Sequence, residues 1–429
     1  MKLTVLGGGG VRSPFLAKSI AYNAHRIGIT EVVFMDTDER HLAIYGALAQ
    51  GVFQRIRGDI AFSLSSDPRQ ALQGADYIIT TLRIGGEEGR IHDERIALNH
   101  QLLGQETTGA GGFAKALRTI PVMLDIARRV EKLAPDAWII NFTNPAGIVT
   151  EAVSRFTKAK IIGLCNVPIS MHHMIANMLQ APYADVQLRF AGLNHMVWVH
   201  QVTQQGRDVT GKVIDMLCDG AALTMNNIKE EPWQPDFLRA LGAIPCPYHR
   251  YFYQTREMLA EEMAAAGERG TRAEQVMQVE KELFELYADP QLNTKPEQLS
   301  FRGGSFYSEV ALELIRAIHN NLGTQLVVNT ANRGAIHGLP DDAVIEINCI
   351  VDAQGAHPLT FGPLSEPMQA LTQQVKAYER LTIEAAVHGD RRSGLLALIA
   401  NPLVGNANLA QPLLDEVLTI NAPYLPQFR

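Results

Sequence analysis

Apolar segments alternate with stretches of helical periodicity along the first half of the chain. Lys2–Leu6 and Glu31–Met35 are apolar, and the spacing of apolar positions between them predicts a helix that ends near Gly28. Apolar runs with little polar alternation are typical of strands covered on both faces, as in a parallel sheet. The pattern continues, with further predicted strands at residues 75–82, 137–147, 160–166 and 186–195 and helices at 114–133 and 148–156.

The pattern changes after about residue 196. Residues 196–210 alternate in the manner of antiparallel strands, and two more strands are predicted around a glycine-rich turn within 325–351. We therefore expect two domains, residues 1–195 and a second, α+β domain at 196–429 that closes over the first. Helices of this second part are predicted at residues 256–267, 273–287, 308–320, 367–387 and 393–400.

A glycine-rich turn follows the first strand, and the second strand ends on Asp36. Strand, glycine turn, helix, strand and acid is the order of a dinucleotide-binding unit, in which glycines admit the pyrophosphate and the acid binds the ribose diol. Ser13 stands where the third glycine of the fingerprint is expected, so tight strand–helix packing is the alternative role of the turn. The predicted NAD-binding positions in it are Gly7, Gly8, Gly9, Gly10 and Val11.

Polar residues stand at the ends of several predicted strands, among them Asn144, Cys165 and His195. In parallel α/β sheets, ligands bind beyond the carboxyl ends of the strands, so we expect these residues to converge. A thiolate and an imidazole suit a borderline divalent ion better than magnesium. The adjacent pair His172 and His173 is a rival, but neighbouring helical residues point about 100° apart, which favours a helix surface there.

The composition sets limits on partners and location. The 429 residues are 46% hydrophobic and 19% charged, as in a folded protein, and the formal net charge of -7 argues against generic binding to nucleic acid or anionic membranes. The N-terminus lacks the pattern of a secretion signal, and no apolar run reaches about 18 residues. Four dispersed cysteines do not form a disulfide framework, so we expect a cytoplasmic protein with reduced thiols.

Other candidate residues lie outside the strand ends. A polar, glycine-rich stretch at residues 89–112 reads as a substrate loop, with Arg90 as its best ligand for an anion or a sugar. Tyr248 begins the aromatic run YHRYFY, for which ordinary aromatic packing is the alternative. Arg272 precedes a predicted helix, and Arg302 stands before two glycines.

Five motifs together resemble one known family. In chain order they are GGGGVRSP at residues 7–14, GQETTGAGG at 104–112, NFTNPAGIVTEA at 141–152, GLCNVP at 163–168 and GLNHMVWV at 192–199. The combination resembles glycoside hydrolase family 4, the NAD- and divalent-metal-dependent glycosidases, which are an exception to two-carboxylate glycosidase chemistry. The CNVP sequence is similar to that of the 6-phospho-β-glucosidase group, whereas the α-specific group has aspartate at the position of Asn166.

The resemblance implies a role for each matched position. Cys165 and His195 would bind the metal, most plausibly Mn²⁺, and Tyr248 would remove the proton from C2 of the sugar. Asn166 cannot serve as the acid that the α-specific enzymes place there, so the group that protonates the leaving group is not identified. The substrate contacts implied by the resemblance are Arg90, Asn144, Asn166 and Arg272.

The resemblance also implies a reaction and an assembly. C3 of a 6-phospho-β-glucoside such as cellobiose 6′-phosphate or an aryl glucoside would be oxidised by NAD, C2 deprotonated, the aglycone eliminated, water added and C3 reduced again. A homodimer or homotetramer is expected. The rival class is an NAD-dependent 2-hydroxyacid dehydrogenase, because residues 75–86 and 141–147 also resemble lactate and malate dehydrogenases. A noncatalytic nucleotide-binding regulator is a third reading, which would leave Cys165 and Tyr248 without a task.

Overall fold

The computed structural model describes residues 1–225, 227–289, 292, 296–302 and 306–428, with backbone alone at 300–302. Its described strands form one continuous sheet with helices on both faces. The strands are β1 (Lys2–Leu6), β2 (Glu31–Met35), β3 (Ala61–Ser65), β4 (Tyr77–Thr80), β5 (Trp138–Asn141), β6 (Lys160–Gly163), β7 (Val186–Leu193), β8 (Met196–Gln204), β9 (Arg207–Asp208), β10 (Ile244–Pro245), β11 (Thr324–Ala331), β12 (Val344–Asp352) and β13 (Gly355–Pro358).

The helices connect these strands and form the C-terminal part of the chain. Several begin at Pro in the first turn, where the missing N–H costs nothing, and α1 ends on Gly28 in the left-handed conformation. The helices are α1 (Ser13–Ile27), α2 (Glu39–His41), α3 (Ala47–Ile56), α4 (Pro68–Leu72), α5 (Gly86–Asn99), α6 (Gly109–Leu133), α7 (Ala146–Phe156), α8 (Val167–Met178), α9 (Thr210–Cys218), α10 (Pro235–Leu241), α11 (Arg250–Tyr253), α12 (Thr255–Glu268), α13 (Arg272–Tyr287), α14 (Tyr307–His319), α15 (Glu366–His388), α16 (Arg391–Ala400) and α17 (Ala407–Ile420).

One half of the sheet is parallel. Its strand order is β3-β2-β1-β4-β5-β6, and each neighbouring pair runs in the same direction. This is the order of a doubly wound dinucleotide-binding sheet, whose ligand crevice lies where the order reverses, between β1 and β4. The α/β fold class predicted from the sequence is therefore confirmed, with a Rossmann-like parallel sheet in its first part.

The other half is antiparallel and continues from β6 as β11-β12-β7-β8-β10. The two halves meet at one backbone pair, Gly163 of β6 with Asn329 of β11, which we call the sheet junction. A second hydrophobic cluster packs against this half and includes Cys165 and Tyr248, while the larger cluster covers the parallel half, includes Leu164 and extends to β11 and β12. The residues at the junction therefore lie where the two hydrophobic clusters meet.

The sequence pattern misassigned β7. It was predicted as a strand of the parallel sheet, but it pairs antiparallel with both β8 and β12. A continuous apolar run identifies a buried strand without fixing its direction, and the two-residue turn Asn194-His195 forces β7 and β8 to be antiparallel. The proposed division between residues 195 and 196 falls between this turn and β8, although β7 pairs with strands of the second part.

Two further local expectations were wrong or incomplete. Residues 89–112 do not form a loop: most of them lie in α5 and the start of α6. The buried face of α5 carries charged residues that pair with one another, so the stretch shows little amphipathic pattern. The strand β3 went unrecognised because its residues alternate between buried and exposed at the sheet edge, with few apolar positions.

Candidate active site

The glycine turn after β1 is shaped by close backbone contacts. The amides of Gly7 and Gly8 both donate to the carbonyl of Met35, each at 2.9 Å. Gly7 has φ +92°, and a Cβ there would lie 2.6 Å from Thr81 Oγ1. Only glycine fits such a position, because an L-residue would be both strained and in collision. The turn therefore leads directly into α1, whose N-terminus is a site for an anion such as a pyrophosphate.

Asp36 lies against the same turn. Its Oδ2 accepts a hydrogen bond from the Gly9 amide at 2.9 Å, and its Oδ1 accepts one from the Asp38 amide at 3.1 Å. The carboxylate is thus fixed at the end of β2, beside the turn that Gly10 and Val11 complete. Ser13, which replaces the third glycine of the fingerprint, is buried in the first turn of α1 and tolerated there.

Asn144 follows β5 and is joined to Pro145 by a cis peptide bond. Its Oδ1 accepts a hydrogen bond from the Ala146 amide at 3.3 Å, which fixes the side chain at the start of α7. Pro145 lines a small cavity together with His195. Asn144 is therefore at the edge of the site, on the parallel half of the sheet.

Cys165 lies between β6 and α8 and is buried. The Val167 amide donates to its Sγ at 3.5 Å, and the Asn194 side chain is a second hydrogen-bonding neighbour of the thiol. Burial, reinforced by the charge of Glu346, raises the pKa of Cys165 well above its usual range. Asn166, the next residue, is buried at the start of α8, and its backbone carbonyl accepts from Ser170.

His195 and Tyr248 are stacked. Their ring centroids are 3.9 Å apart and the planes differ by 4°, which brings the β7–β8 turn against the 3₁₀ turn Pro247–His249. His195 has φ +61°, a left-handed conformation that histidine adopts more readily than most residues. Burial lowers the pKa of His195 to about 3, so the ring is neutral and has a lone pair to offer a cation.

The phenol of Tyr248 is buried and accepts a hydrogen bond from Asn227 Nδ2 at 3.3 Å. Burial, followed by the charges of Cys165 and Glu106, raises the pKa of Tyr248 well above its usual range. The protein's own groups therefore act against the deprotonated form that Tyr248 would need in order to remove a proton from the sugar. A lowered pKa at Tyr248 would have to come from a bound cation.

A cluster of paired charges forms another wall of the site. Glu106 Oε2 lies 2.6 Å from Arg83 Nη1, 2.7 Å from Lys115 Nζ and 3.6 Å from Arg90 Nε. Burial alone would raise the pKa of Glu106, but the three cations together lower it well below its usual range. Glu106 also acts on Tyr248, so this cluster borders the stacked rings.

Arg272 is brought toward this cluster by Glu94. The carboxylate of Glu94 accepts from Arg90 Nε at 2.8 Å and from the amide of Ala273, in the first turn of α13, at 2.7 Å. Arg272 is the first residue of α13, after a Thr271 capping box. Glu94 therefore joins the side chain of Arg90 to the backbone of the residue that follows Arg272. The glycines after Arg302 lie outside the described residues, and so does the Arg302 side chain.

Tyr307 connects the two sides of the site. It begins α14, and burial raises its pKa. Smaller electrostatic effects on its pKa come from Cys165, Arg12, Glu106 and Arg83. Arg12 belongs to the glycine turn and Cys165 to the end of β6. The glycine turn and the thiol therefore both lie close enough to Tyr307 to act on its phenol.

His195 joins that region in a different way from the one predicted. β7 runs antiparallel to β12, so its end is not one of the carboxyl ends of the parallel sheet. The turn after β7 reaches Cys165 through the Asn194 side chain instead. Sequence reasoning also missed Glu106, Lys115 and Glu346, although the first stands inside the quoted motif GQETTGAGG. Each of these three residues could have been noticed in the sequence as a charged residue among small or apolar neighbours.

The donor set fits a divalent cation. A thiol and a neutral imidazole are held close to Asn194, and a buried oxygen of Glu346, Oε2, has no hydrogen-bond partner within the described chain. Among the described residues, no group of three or more His, Cys, Asp or Glu side chains has the geometry of a complete metal cage. A cation held by Cys165 and His195 alone would keep positions open for water or substrate oxygens, and open positions distinguish catalytic from structural sites.

The fold and the site define a class of protein: a Rossmann-like α/β protein with a glycine-rich turn after its first strand and a buried thiol, imidazole and phenol near the sheet junction. The model of the family 4 glycosyl hydrolases matches residues 2–181, and the model of the family 4 glycosyl hydrolase C-terminal domain matches residues 190–404. The chain belongs to the family 4 glycosyl hydrolases.

Full-length relatives agree with this assignment. The chain is 45% identical over 432 residues to the probable 6-phospho-beta-glucosidase of Bacillus subtilis (strain 168), covering 100% of this chain and 98% of the relative. It is 38% identical to the 6-phospho-beta-glucosidase of Escherichia coli (strain K12), covering 100% and 97%. The structure of the 6-phospho-beta glucosidase from Thermotoga maritima with manganese, NAD+ and glucose-6-phosphate is 37% identical, with a TM-score of 0.89 and 99% of each chain covered.

Within the described residues, none of the helices combines the length and the apolarity that crossing a membrane requires.

Proposed function

We propose that this protein is a 6-phospho-β-glucosidase that requires NAD and a divalent metal, most plausibly Mn²⁺. Its full-length similarity to the Bacillus subtilis and Escherichia coli relatives supports the activity, and the ligands of the Thermotoga maritima structure support the cofactors. The single observation that carries the proposal is the stacking of His195 on Tyr248 in the region that also holds Cys165 and the nucleotide-binding turn.

NAD would bind on the parallel half of the sheet, and the metal ion would bind between the two halves. The glycine turn, the start of α1 and Asp36 would hold NAD, and Cys165 with His195 would hold the metal ion. NAD, when bound, supplies hydride acceptance and return at C3 of the sugar, and the divalent cation supplies Lewis acidity toward the neighbouring hydroxyls. Asp36 would accept hydrogen bonds from the adenosine ribose, because the Gly9 and Asp38 amides already fix its carboxylate.

Tyr248 is the proposed base that removes the proton from C2. Its hydroxyl is directed by the hydrogen bond from Asn227, and its ring is held flat on His195. Because burial raises the pKa of Tyr248, the phenol would stay protonated in the protein without a cation. The base would therefore form only where a positive charge is bound beside His195, which couples proton removal to a correctly loaded site.

The sugar would be held between the charged wall and the strand ends. Arg90, Asn144, Asn166 and Arg272 are the proposed contacts. Glu106 and Glu94 fix the guanidinium of Arg90, so this side chain is preorganised. Asn166 favours β-glucosides over α-glucosides, because an amide cannot supply the proton that an axial leaving group would take from aspartate.

The 6-phosphate needs cations or helix N-termini. The candidates that the structure describes are Arg272 at the start of α13 and Arg12 with Ser13 beside the glycine turn. Arg272 is supported by the link through Glu94, which places the start of α13 next to Arg90. We further propose a cytoplasmic homodimer or homotetramer, with phosphorylated disaccharides or aryl glucosides as substrates.

The stoichiometry of NADH tests the proposal against the rival 2-hydroxyacid dehydrogenase. The enzyme would be given 4-nitrophenyl β-glucoside 6-phosphate with NAD and Mn²⁺, and both nitrophenol and NADH would be followed. We expect many equivalents of nitrophenol per site with NADH never exceeding one equivalent, because the hydride returns to C3. NADH that accumulates in proportion to turnover would overturn the hydrolase and favour the dehydrogenase.

A further inference from the structure

One row of residues crosses the sheet junction from β6 to β7. Gly163 pairs with Asn329, Asn329 pairs with Glu346, and Glu346 pairs with Gly192. Both polar residues in the row are fully buried, at 0% exposure. The glycines give them room: a Cβ on Gly163 would lie 2.8 Å from Asn329 Cβ. The sheet is therefore built around a carboxylate and an amide at a place where apolar residues are the rule.

The carboxylate of Glu346 is only half satisfied. Its Oε1 accepts from Asn329 Nδ2 at 2.9 Å and from Asn194 Nδ2 at 3.1 Å. Its Oε2 is buried without a hydrogen-bond partner in the described part of the chain. A buried carboxylate with an unpaired oxygen is costly, and a neutral side chain of the same shape would fold more readily. Burial of this carboxylate therefore costs stability, as expected of a group that is kept for a role other than stability.

The Asn194 carboxamide links Glu346 to both metal-ligand candidates. One of its neighbours is the Glu346 carboxylate, and another is the thiol of Cys165. Asn194 also directly precedes His195, whose φ of +61° makes the turn dependent on the residues that hold it. The position of this one amide therefore affects the thiol through a hydrogen bond and the imidazole through the backbone.

We propose that Glu346 is a positioning residue for the metal site: it fixes the Asn194 carboxamide, and through it Cys165 and His195, and it adds a negative charge beside the cation. The inference rests on the proposed function, because it presupposes that Cys165 and His195 bind the metal. Groups that orient metal ligands typically contribute tenfold to 100-fold to affinity, although they do not touch the ion.

The test is the affinity of the full-length protein for Mn²⁺ alone, measured from the electron paramagnetic resonance signal of free Mn²⁺. Glu346→Gln keeps the shape and removes the charge, and we expect its dissociation constant for Mn²⁺ to rise about 10- to 100-fold. NAD affinity, measured by fluorescence titration, should stay within about twofold, because the glycine turn does not touch this row.

The matched control is Glu151→Gln. Glu151 is also fully buried, and it accepts from the amide of Val344, two residues before Glu346 on β12. Loss of this carboxylate should change thermal stability without changing the affinity for Mn²⁺. An equal loss of affinity in both variants would reduce Glu346 to a structural residue and overturn the inference.

A double-mutant cycle with Asn194→Ala isolates the link. If Glu346 acts through Asn194, the double variant should bind Mn²⁺ about as weakly as the weaker single variant. Strictly additive losses, or unchanged affinity in Glu346→Gln, would overturn the inference. Should Glu346→Gln fail to fold, Glu346→Asp, which keeps the charge but shortens the reach, decides in its place: unchanged affinity again overturns it.

The wild-type protein separates this inference from the proposed function. Binding of Mn²⁺ that Cys165→Ser abolishes supports the metal site itself. Wild-type binding without an effect of Glu346→Gln would overturn only the positioning role. No binding by the wild type would overturn the metal site and the positioning role together.

Discussion

The two halves of the sheet contribute to the site by different means. In the parallel half, backbone amides of the glycine turn and the fixed carboxylate of Asp36 form a surface for a nucleotide. In the antiparallel half, the candidate groups are buried side chains: His195 in a left-handed turn conformation and Tyr248 in a 3₁₀ turn. We therefore propose that NAD binding depends on the parallel half alone, whereas metal binding and proton transfer also need the antiparallel half, and variants should separate them.

The largest effect is expected at Cys165, next to the sheet junction. Cys165→Ser replaces a thiolate with a hydroxyl, which is a far poorer ligand for a borderline ion, so kcat should fall by roughly 10⁴-fold or more. Mn²⁺ affinity should be lost while NAD affinity and the circular dichroism spectrum are retained. Cys218→Ser is the control, since Cys218 is the last residue of α9 and its thiol donates to the carbonyl of Pro235. Full activity with metal still required would remove Cys165 from the metal site.

The next effect is expected at Tyr248. Tyr248→Phe keeps the ring stacked on His195 but removes the base, so kcat should fall about 10²- to 10⁴-fold. Affinity for NAD and Mn²⁺ should be unchanged, and exchange of the C2 proton of the product with deuterated solvent should stop. Tyr251→Phe is the control, with its ring 6.0 Å from that of Tyr248. C2 exchange at the wild-type rate in Tyr248→Phe would assign the base elsewhere.

The third effect is expected when the 6-phosphate is removed from the substrate, whose proposed contacts lie on both halves of the sheet. Several charge-assisted hydrogen bonds are lost without the 6-phosphate, costing about 3–5 kcal/mol after some replacement by water. We therefore expect kcat/KM to be about two to four orders of magnitude lower for the unphosphorylated aryl β-glucoside. Cleavage of that glucoside or of cellobiose within tenfold of its 6-phosphate would contradict phosphate specificity, even with the oxidation–elimination route intact.

The smallest effect is expected in the parallel half, at Asp36. The 2′-phosphate of NADP would meet this carboxylate, so NAD should be preferred, and Asp36→Ala should reduce the preference by roughly 10- to 100-fold as about 1.5–3 kcal/mol of hydrogen bonding is lost. The measurement is the ratio of activation by the two nucleotides at saturating Mn²⁺. Mn²⁺ affinity should not change. Equal activation of the wild type by both nucleotides would contradict the role of Asp36.

The parallel half could be predicted closely from the sequence. The strands β1 and β2 and the end of α1 at Gly28 lie where the apolar pattern and the glycine predict them, because these elements are specified by neighbouring residues. The family resemblance rests on motifs at the same strand ends. The full-chain matches confirm the family. They do not test the roles of individual site residues, which stay proposals.

The antiparallel half and the charged wall could not be predicted in the same way. The direction of β7 depends on the strands with which it pairs. The helix α5 lacks a clear amphipathic pattern because its buried face carries charged residues, such as Arg90 and Glu94, which pair with each other. Glu346 reads as an ordinary charged residue in a strand, and only the fold shows that it is buried beside Asn194. Such residues are recognisable only once distant segments are brought together.

The most direct test of the central claim is a set of hydrolysis assays with the purified, reduced protein. 4-Nitrophenyl β-glucoside 6-phosphate and its α-anomer would each be offered with and without NAD and Mn²⁺. The account predicts release of nitrophenol from the β-anomer only when both NAD and Mn²⁺ are present, and little or none from the α-anomer. Equal hydrolysis without NAD and metal, or preference for the α-anomer, would contradict it.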